Sequence, residues 1–180
     1  MTCSFLNGGG WLERENLWAP WRIGYIREIG KSKDCFICHN LKKPEDDDKN
    51  FVLWRTNHCI VILNRFPYNN GHLLIAPVRH IANLEQANDD ELLEIVRLTK
   101  ELQKALSLAI KPQGFNVGMN FGRCAGAGLP DHLHVHIVPR WDGDTNFMSV
   151  CGNVDIVSQS LSELLEQLKH ISKEHNLPRL

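Results

Sequence analysis

The sequence predicts an α+β fold: a five-stranded, mostly antiparallel sheet with one long helix packed across it and helical segments at both ends. Three observations carry this. Five short apolar stretches read as strands. A single long amphipathic stretch, residues 88–110, interrupts them after the third. Strands that follow one another around one long helix favour antiparallel pairing over alternating βαβ units.

"FVLWRT" (51–56) and "HCIVILN" (58–64) are β-rich runs joined by a tight turn near Asn57. "RFPYNNG" has turn chemistry in Pro67 and Asn70-Gly71, and "HLLIAP" (72–77) is a third strand ended by Pro77. In residues 88–110, Leu92, Leu93, Val96, Leu98, Leu102, Leu106 and Ile110 are expected to form the buried face. Asn88 or Asp89 caps the helix, and Lys111-Pro112 ends it. "GFNVGMNFG" (114–122) and "HLHVHIVPR" (132–140) complete the strands, with a glycine-rich loop between them. "SQSLSELLEQLKHISKEH" (158–175) is a second helix with leucines at 161, 164, 165 and 168, whose docking partner the sequence leaves open. Pro20 opens a short helix in "NLWAPWRIGYIREIG" (16–30). The expected organisation is a flexible lead (1–15), a catalytic domain (16–150) and a helical extension (151–180).

The chain has 180 residues, 20 basic against 21 acidic side chains, and 43% hydrophobic residues. That suits one domain with a real core and argues against a nucleic-acid wrap. The N-terminus does not read as a signal peptide, and no run approaches the about 18 apolar residues of a membrane span. A cytoplasmic location is expected. Its six cysteines then read as thiols or metal ligands, with Cys3, Cys59, Cys124 and Cys151 as ordinary thiols.

Chemistry concentrates in "LPDHLHVHIVPRW" (129–141). On a strand, His132, His134 and His136 share one face while Leu133, Val135 and Ile137 share the other. Three clustered imidazoles suggest metal binding, nucleophilic catalysis or a division between the two. Cys35 and Cys38 form a CxxC pair. A tetrahedral zinc would take two further ligands, from among His39, His58, His72, His80 and one triad histidine. Two rivals remain at this level. "CFICH" matches a haem-attachment pattern with Met119 or Met148 as an axial ligand, but no export signal precedes it. Alternatively, the triad itself holds a catalytic zinc, although that leaves the CxxC pair without its other ligands. Asp131 either orients a ring or is simply exposed.

The His-φ-His-φ-His-φ run at 132–137, with "LNRFPYNNGHLLIAPVRHI" (63–81) upstream, resembles the histidine triad family of nucleotide hydrolases and transferases. "LWAPWRIGYI", "GLPDHLHVHIVPRW" and the C-terminal extension are most similar to its diadenosine tetraphosphate phosphorylase and hydrolase branch. The resemblance implies that His134 is the nucleophile, forming a covalent nucleotidyl-imidazole at the α-phosphorus. It implies that His136 contacts phosphate oxygens, that His72 supports the site and that Asn64 binds ribose hydroxyls. It also implies a structural zinc on Cys35, Cys38, His80 and His132, an adenine-containing nucleotide substrate, and a homodimer formed through the long helix and an adjacent strand.

The loop "GRCAGAG" (122–128) offers backbone N–H groups, including those of Gly126 and Gly128, and the cation of Arg123 to phosphate. One departure stands out. Gly128 and Leu129 occupy positions where many family members carry Gln and a hydroxyl residue. A polar contact to the leaving group is therefore expected from elsewhere, with Asn120 as a candidate. Trp141 either stacks on a base or caps the core. Two further readings of such a site are a phosphoramidase acting on adenylyl-amines and a nucleotide-binding module without turnover.

Overall fold

The computed structural model describes residues 35–144 and 159–180. The expected helix at 16–30, the lead 1–15, Cys3, Cys151 and Met148 lie outside the described residues. The described elements are α1 (Phe36–Leu41), β1 (Val52–Arg55), β2 (Cys59–Leu63), β3 (Leu73–Pro77), α2 (Asp89–Ile110), β4 (Gly114–Met119), β5 (Val135–Arg140) and α3 (Leu161–His175). The five strands form one sheet in the order β1-β2-β3-β5-β4, and every neighbouring pair is antiparallel.

The sheet is covered on both faces. Cys59, Val61, Leu63, Leu73, Ile75, Val135 and Ile137 point to the face that meets α2 and α3, forming the main core. Their alternates Ile60, Ile62 and Ala76 join Val52 and Ile37 of α1 in a smaller core on the other face. This explains why β2 and β3 are buried throughout and read as continuous apolar runs. By the same alternation, His72 and Leu74 lie on the α1 face, and Leu74 pairs directly with His136.

The turn before β3 brings the backbone against α2. Gly71 has φ +78°, and a Cβ there would lie 2.7 Å from Ile110 Cδ1 and 3.0 Å from Pro139 Cγ. Gly71→Ala therefore combines left-handed backbone strain with overpacking. The expected loss of stability is about 2–4 kcal/mol, read as a lowered denaturation midpoint. A midpoint equal to wild type would show that the turn relaxes freely.

Asn88 caps α2, its side chain accepting from the Glu91 N–H, and Lys111 ends the helix in the left-handed conformation before Pro112. The buried face of α2 differs from the expectation. Ile95, Leu98, Leu102, Ala105 and Leu106 are buried, whereas Leu93 and Val96 are 48% and 67% exposed. Glu91, Glu94 and Glu101 take core-side positions instead. Each meets a donor fixed by a packed element: Arg79 for Glu91, Thr56 Oγ1 and the His58 N–H for Glu94, and the Arg179 N–H for Glu101. Buried carboxylates are tolerated when paired in this way.

The C-terminal helix α3 docks on its own domain. Leu164, Leu165 and Leu168 enter the main core. Trp54 Nε1 donates to Ser172 Oγ at 3.0 Å, and Gln167 Nε2 donates to the Ala109 carbonyl at 2.8 Å. No helix of the described residues is long and apolar enough to cross a membrane.

Candidate functional site

The triad run bends away from the ladder at its start. The β5 strand begins at Val135, three residues later than expected. Ahead of it, the Leu133 N–H donates to the Ile81 carbonyl at 2.6 Å, so 132–134 follow the loop after β3 instead of a strand. The apolar alternation survives this, and Leu133, Val135 and Ile137 are all buried.

His132 leaves the other two histidines and joins Cys35, Cys38 and His80. One ligand atom from each of these four lies within 4.8 Å of the others. Cys35 Sγ is 3.1 Å from His132 Nδ1, and Cys38 Sγ is 3.2 Å from His80 Nδ1 and 3.5 Å from His132 Nδ1. A tetrahedral zinc with ordinary bond lengths separates its ligands by about 3.3–3.8 Å, so the donor set fits such an ion. The tautomer fits as well. His132 Nε2 lies 2.8 Å from the Pro77 carbonyl, which only accepts. The ring proton is therefore on Nε2, and Nδ1 turns its lone pair to the sulfurs. Burial pushes the Cys35 thiol up to about 11. Near pH 7 Cys35 therefore keeps its proton unless a cation takes the proton's place, as a zinc ion does on binding a thiolate.

His134 and His136 are not part of this donor group. His134 Nδ1 lies 2.8 Å from the His132 carbonyl. That carbonyl fixes the proton on Nδ1 and leaves the lone pair on Nε2. Burial holds the His134 pKa below the usual imidazole value, so the ring is neutral near pH 7. His132 thus serves both halves of the site, the Cys–His cluster through its ring and the second imidazole through its backbone.

The third imidazole is oriented by a relay. The Tyr68 backbone N–H donates to His72 Nδ1 at 3.1 Å, beside the Asn64 amide at 3.2 Å. His72 therefore carries its proton on Nε2, which donates to His136 Nδ1 at 2.9 Å. A neutral His136 then presents an N–H at Nε2; the Asn120 Nδ2 amino group 3.5 Å away is itself a donor and does not accept it, which leaves that proton for a ligand oxygen. The rings of His134 and His136 are 4.9 Å apart and 66° inclined. The arrangement pairs a bare nitrogen lone pair with a hydrogen-bond donor, which suits attack on phosphorus beside a charged oxygen.

Burial, then the charges of His136 and His134, pulls the His72 pKa down to about 3. The folded state thus refuses a proton that the unfolded chain accepts at its model value of 6.5. His72 stabilises the fold above that value, and the contribution is lost as pH falls from 6.5 toward 3. Stability should decline by up to about 1.4 kcal/mol per pH unit, and the upper part of that window, above about pH 5, lies clear of the carboxylates. Urea midpoints from pH 7 to 5 measure this, and His72→Gln should make the slope shallower, with the lowered pKa values of His132 and His134 supplying the remainder. An unchanged slope in that variant would assign the decline elsewhere.

The remaining expected residues are placed less tightly. Arg123 and Gly126 belong to the exposed turn between β4 and the triad. The N–H groups of Gly126 and Ala127 donate within the loop, to the Arg123 and Gly122 carbonyls, so those two are not directed at a ligand. Gly128 is half-buried and Asp131 exposed. Trp141 does not line the histidine cluster within this chain. It follows the far end of β5, and its indole N–H donates to the Lys111 carbonyl at 3.1 Å, capping the end of α2. Sequence reasoning passed over Tyr68, whose ring lies 4.6 Å from His72 and stacks at 5.8 Å on His136. Its place in a turn four residues before His72 was the only signal.

Comparison with known proteins agrees with this geometry. The HIT domain family model matches residues 45–143. The AP-4-A phosphorylase of Mycobacterium tuberculosis (strain ATCC 25618 / H37Rv) is 35% identical over 155 residues, covering 83% of this chain and 80% of that protein. The adenosine 5'-monophosphoramidase hnt1 of Schizosaccharomyces pombe is 31% identical over 106 residues, covering 59% and 74%. Among solved structures, a Zn-bound histidine triad family protein from Mycobacterium smegmatis has a TM-score of 0.64 at 19% identity, covering 79% of this chain and 96% of that one. With a family match over more than half its length and a well-covered relative above 30% identity, this chain belongs to the histidine triad (HIT) family.

Proposed function

We propose that this protein is a nucleotidyl hydrolase or transferase that cleaves dinucleoside polyphosphates or other adenylylated compounds at the α-phosphate through a nucleotidyl-His134 intermediate. The observation that carries the reading is the bond from His134 Nδ1–H to the His132 carbonyl, which leaves Nε2 as a fixed, neutral nucleophile. In the first step Nε2 bonds to the α-phosphorus as the bridging P–O bond breaks, and the polyphosphate leaves with the electron pair. His136 Nε2–H, oriented by His72, donates to a phosphate oxygen as charge develops. In this reading Asn64 takes the ribose hydroxyls, Asn120 meets the leaving group, and Arg123 and the Gly128 N–H serve the phosphates. In the second step an acceptor oxygen displaces the imidazole.

The AP-4-A phosphorylase relative makes diadenosine tetraphosphate the first substrate to try. Products with and without inorganic phosphate identify the acceptor. ATP plus ADP appearing only with phosphate indicates phosphorolysis, and ATP plus AMP without it indicates hydrolysis. No turnover of any nucleotide ester, with nucleotide binding retained, would make the chain a binding module. The phosphoramidase relative adds adenylyl-amines to the substrate panel, because the same nucleophile would attack a P–N bond.

We further propose that the cluster of Cys35, Cys38, His80 and His132 holds zinc. With four protein ligands the ion has no open position for water, so its role is structural. It would tie the segment bearing the cysteines to the residue that orients His134. A thiolate site of this kind suits a reducing cytoplasm. Residues 16–150 would be the catalytic domain, with 151–180 completing its core. The β4 edge exposes Val117 (46%), with Phe121 (40%) just beyond it, and this supports a homodimer built through that edge and α2. Light scattering on the purified chain should give twice the monomer mass, and a monomer across the micromolar range would reject the dimer.

A further inference from the structure

Three of the four proposed metal ligands stand on two segments that the sheet does not hold directly; the fourth, His132, precedes β5 and is tied to the His80 loop by the Leu133 N–H to Ile81 carbonyl bond. Cys35 and Cys38 lie at the start of α1, a helix of only six residues. His80 lies on the loop between β3 and the turn at Leu84–Gln86. Short segments of this kind keep ligand geometry only when other groups fix their backbones.

Each segment is gripped by one arginine. The Arg55 guanidinium, from the end of β1, donates through Nη2 to the Asn40 carbonyl at 2.6 Å and through Nη1 to the Leu41 carbonyl at 3.4 Å. It is held by Asp47 through Nε at 2.8 Å and Nη2 at 2.5 Å. These bonds add to the Lys43 N–H that the Asn40 carbonyl already accepts at 3.2 Å, and they reach the Leu41 carbonyl at the end of α1. The neighbour of His80, Arg79, donates to both oxygens of Glu91, at 2.7 and 2.6 Å, and to the Gln86 carbonyl at 2.7 Å. Glu91 is 2% exposed and is itself fixed by the Asn88 N–H at 2.9 Å. On either side of the arginine, the Val78 N–H donates to the His58 carbonyl and the Leu133 N–H to the Ile81 carbonyl. A bidentate guanidinium–carboxylate pair fixes direction as well as distance, which an ammonium cannot do.

We infer that Arg55 and Arg79 are positioning residues for the metal centre, Arg55 holding the cysteine half of the donor set and Arg79 the histidine half. Together they keep the four ligands converged before the ion arrives, so that binding does not carry the cost of ordering them. The inference rests on the proposal that the cluster binds zinc.

The test is competition for zinc between the full-length protein and a chromophoric chelator, with thermal midpoints recorded alongside. Arg55→Gln and Arg79→Gln should each weaken zinc binding by about 10–100-fold, as loss of outer-shell partners does elsewhere. Arg79→Lys should recover only part of this, because it restores charge without the fork. Gln167→Ala, which removes a comparable bond between α3 and α2 far from the ligands, should bind zinc as wild type does. Should Arg79→Gln not fold, the isosteric Glu91→Gln removes the same clamp and should show the same weakening. Zinc affinity within twofold of wild type in the arginine variants would overturn the inference while leaving the metal site intact. A wild-type protein that takes up no zinc, and in which Cys35→Ser changes nothing, would overturn the metal site and the inference together.

Discussion

Replacing His134 with alanine is expected to lower kcat by about 10⁴-fold or more while nucleotide affinity changes only a few-fold. The reason is the division of labour around the ring. On the proposed reading, binding draws on groups that the substitution leaves in place, above all Asn64 and the His72–His136 relay. Chemistry draws on one lone pair, and no other neutral nitrogen is oriented by the His132 carbonyl. His136→Ala should be milder, at about 10²–10³-fold, because it removes a donor to a charged oxygen and keeps the nucleophile. His72→Gln acts through His136, so the double variant His72→Gln/His136→Ala should be little worse than His136→Ala alone. Losses that multiply in the double variant would mean that the two rings work independently and that the relay is incidental. Steady-state kinetics and equilibrium binding of a non-hydrolysable nucleotide measure both quantities.

Removing the metal is expected to have the second largest effect, and it should damage stability and activity together. A bound ion at about a thousandfold over its dissociation constant adds about 4 kcal/mol of stability, or on the order of 10–15 °C in Tm for a chain of this size. Cys35→Ser should abolish zinc binding and lower Tm by that amount. Its activity should fall too, although the ion touches no reacting atom. In the proposed site the His132 ring is a zinc ligand while the His132 carbonyl orients His134, so freeing the ring should loosen the proposed nucleophile. A chelator acting on wild type should reproduce both losses, and added zinc should reverse them. An enzyme that keeps full turnover after verified zinc removal would separate the two halves of the site. An ion lost from His134 itself would point to the rival arrangement, in which the triad binds metal.

Much of this site was legible because its residue types are rare and their spacing is rigid. Alternate histidines flanked by Leu133, Val135 and Ile137 fix which side is apolar whatever surrounds them. A CxxC turn brings two sulfurs together by local geometry alone. The five strands were legible for the same reason, since their apolar runs are short and bounded by Asn57, Pro67, Gly71 and Pro77. What escaped was set by partners distant in sequence. The buried face of α2 turns on Glu91, Glu94 and Glu101, which read as solvated charges until Arg79, Thr56 and Arg179 are seen beside them. The start of β5 was expected too early, because the ladder ends where Leu133 pairs with the loop at Ile81. Trp141 and Tyr68 exchange the importance that sequence suggests. The tryptophan caps α2, and the tyrosine, unremarked in its turn, lies against the imidazoles of His72 and His136. The docking of α3 rests on Leu164, Leu165 and Leu168 in the main core and on bonds such as that between Trp54 and Ser172, 118 residues apart.

The most direct measurement is rapid quenching of the enzyme with diadenosine tetraphosphate, followed by mass spectrometry of its peptides under conditions that preserve phosphohistidine. A single nucleotidyl group on the peptide containing His134, absent from His134→Ala, is the predicted result. Turnover without that adduct, or with the adduct on another side chain, would contradict the assignment of His134 as the nucleophile.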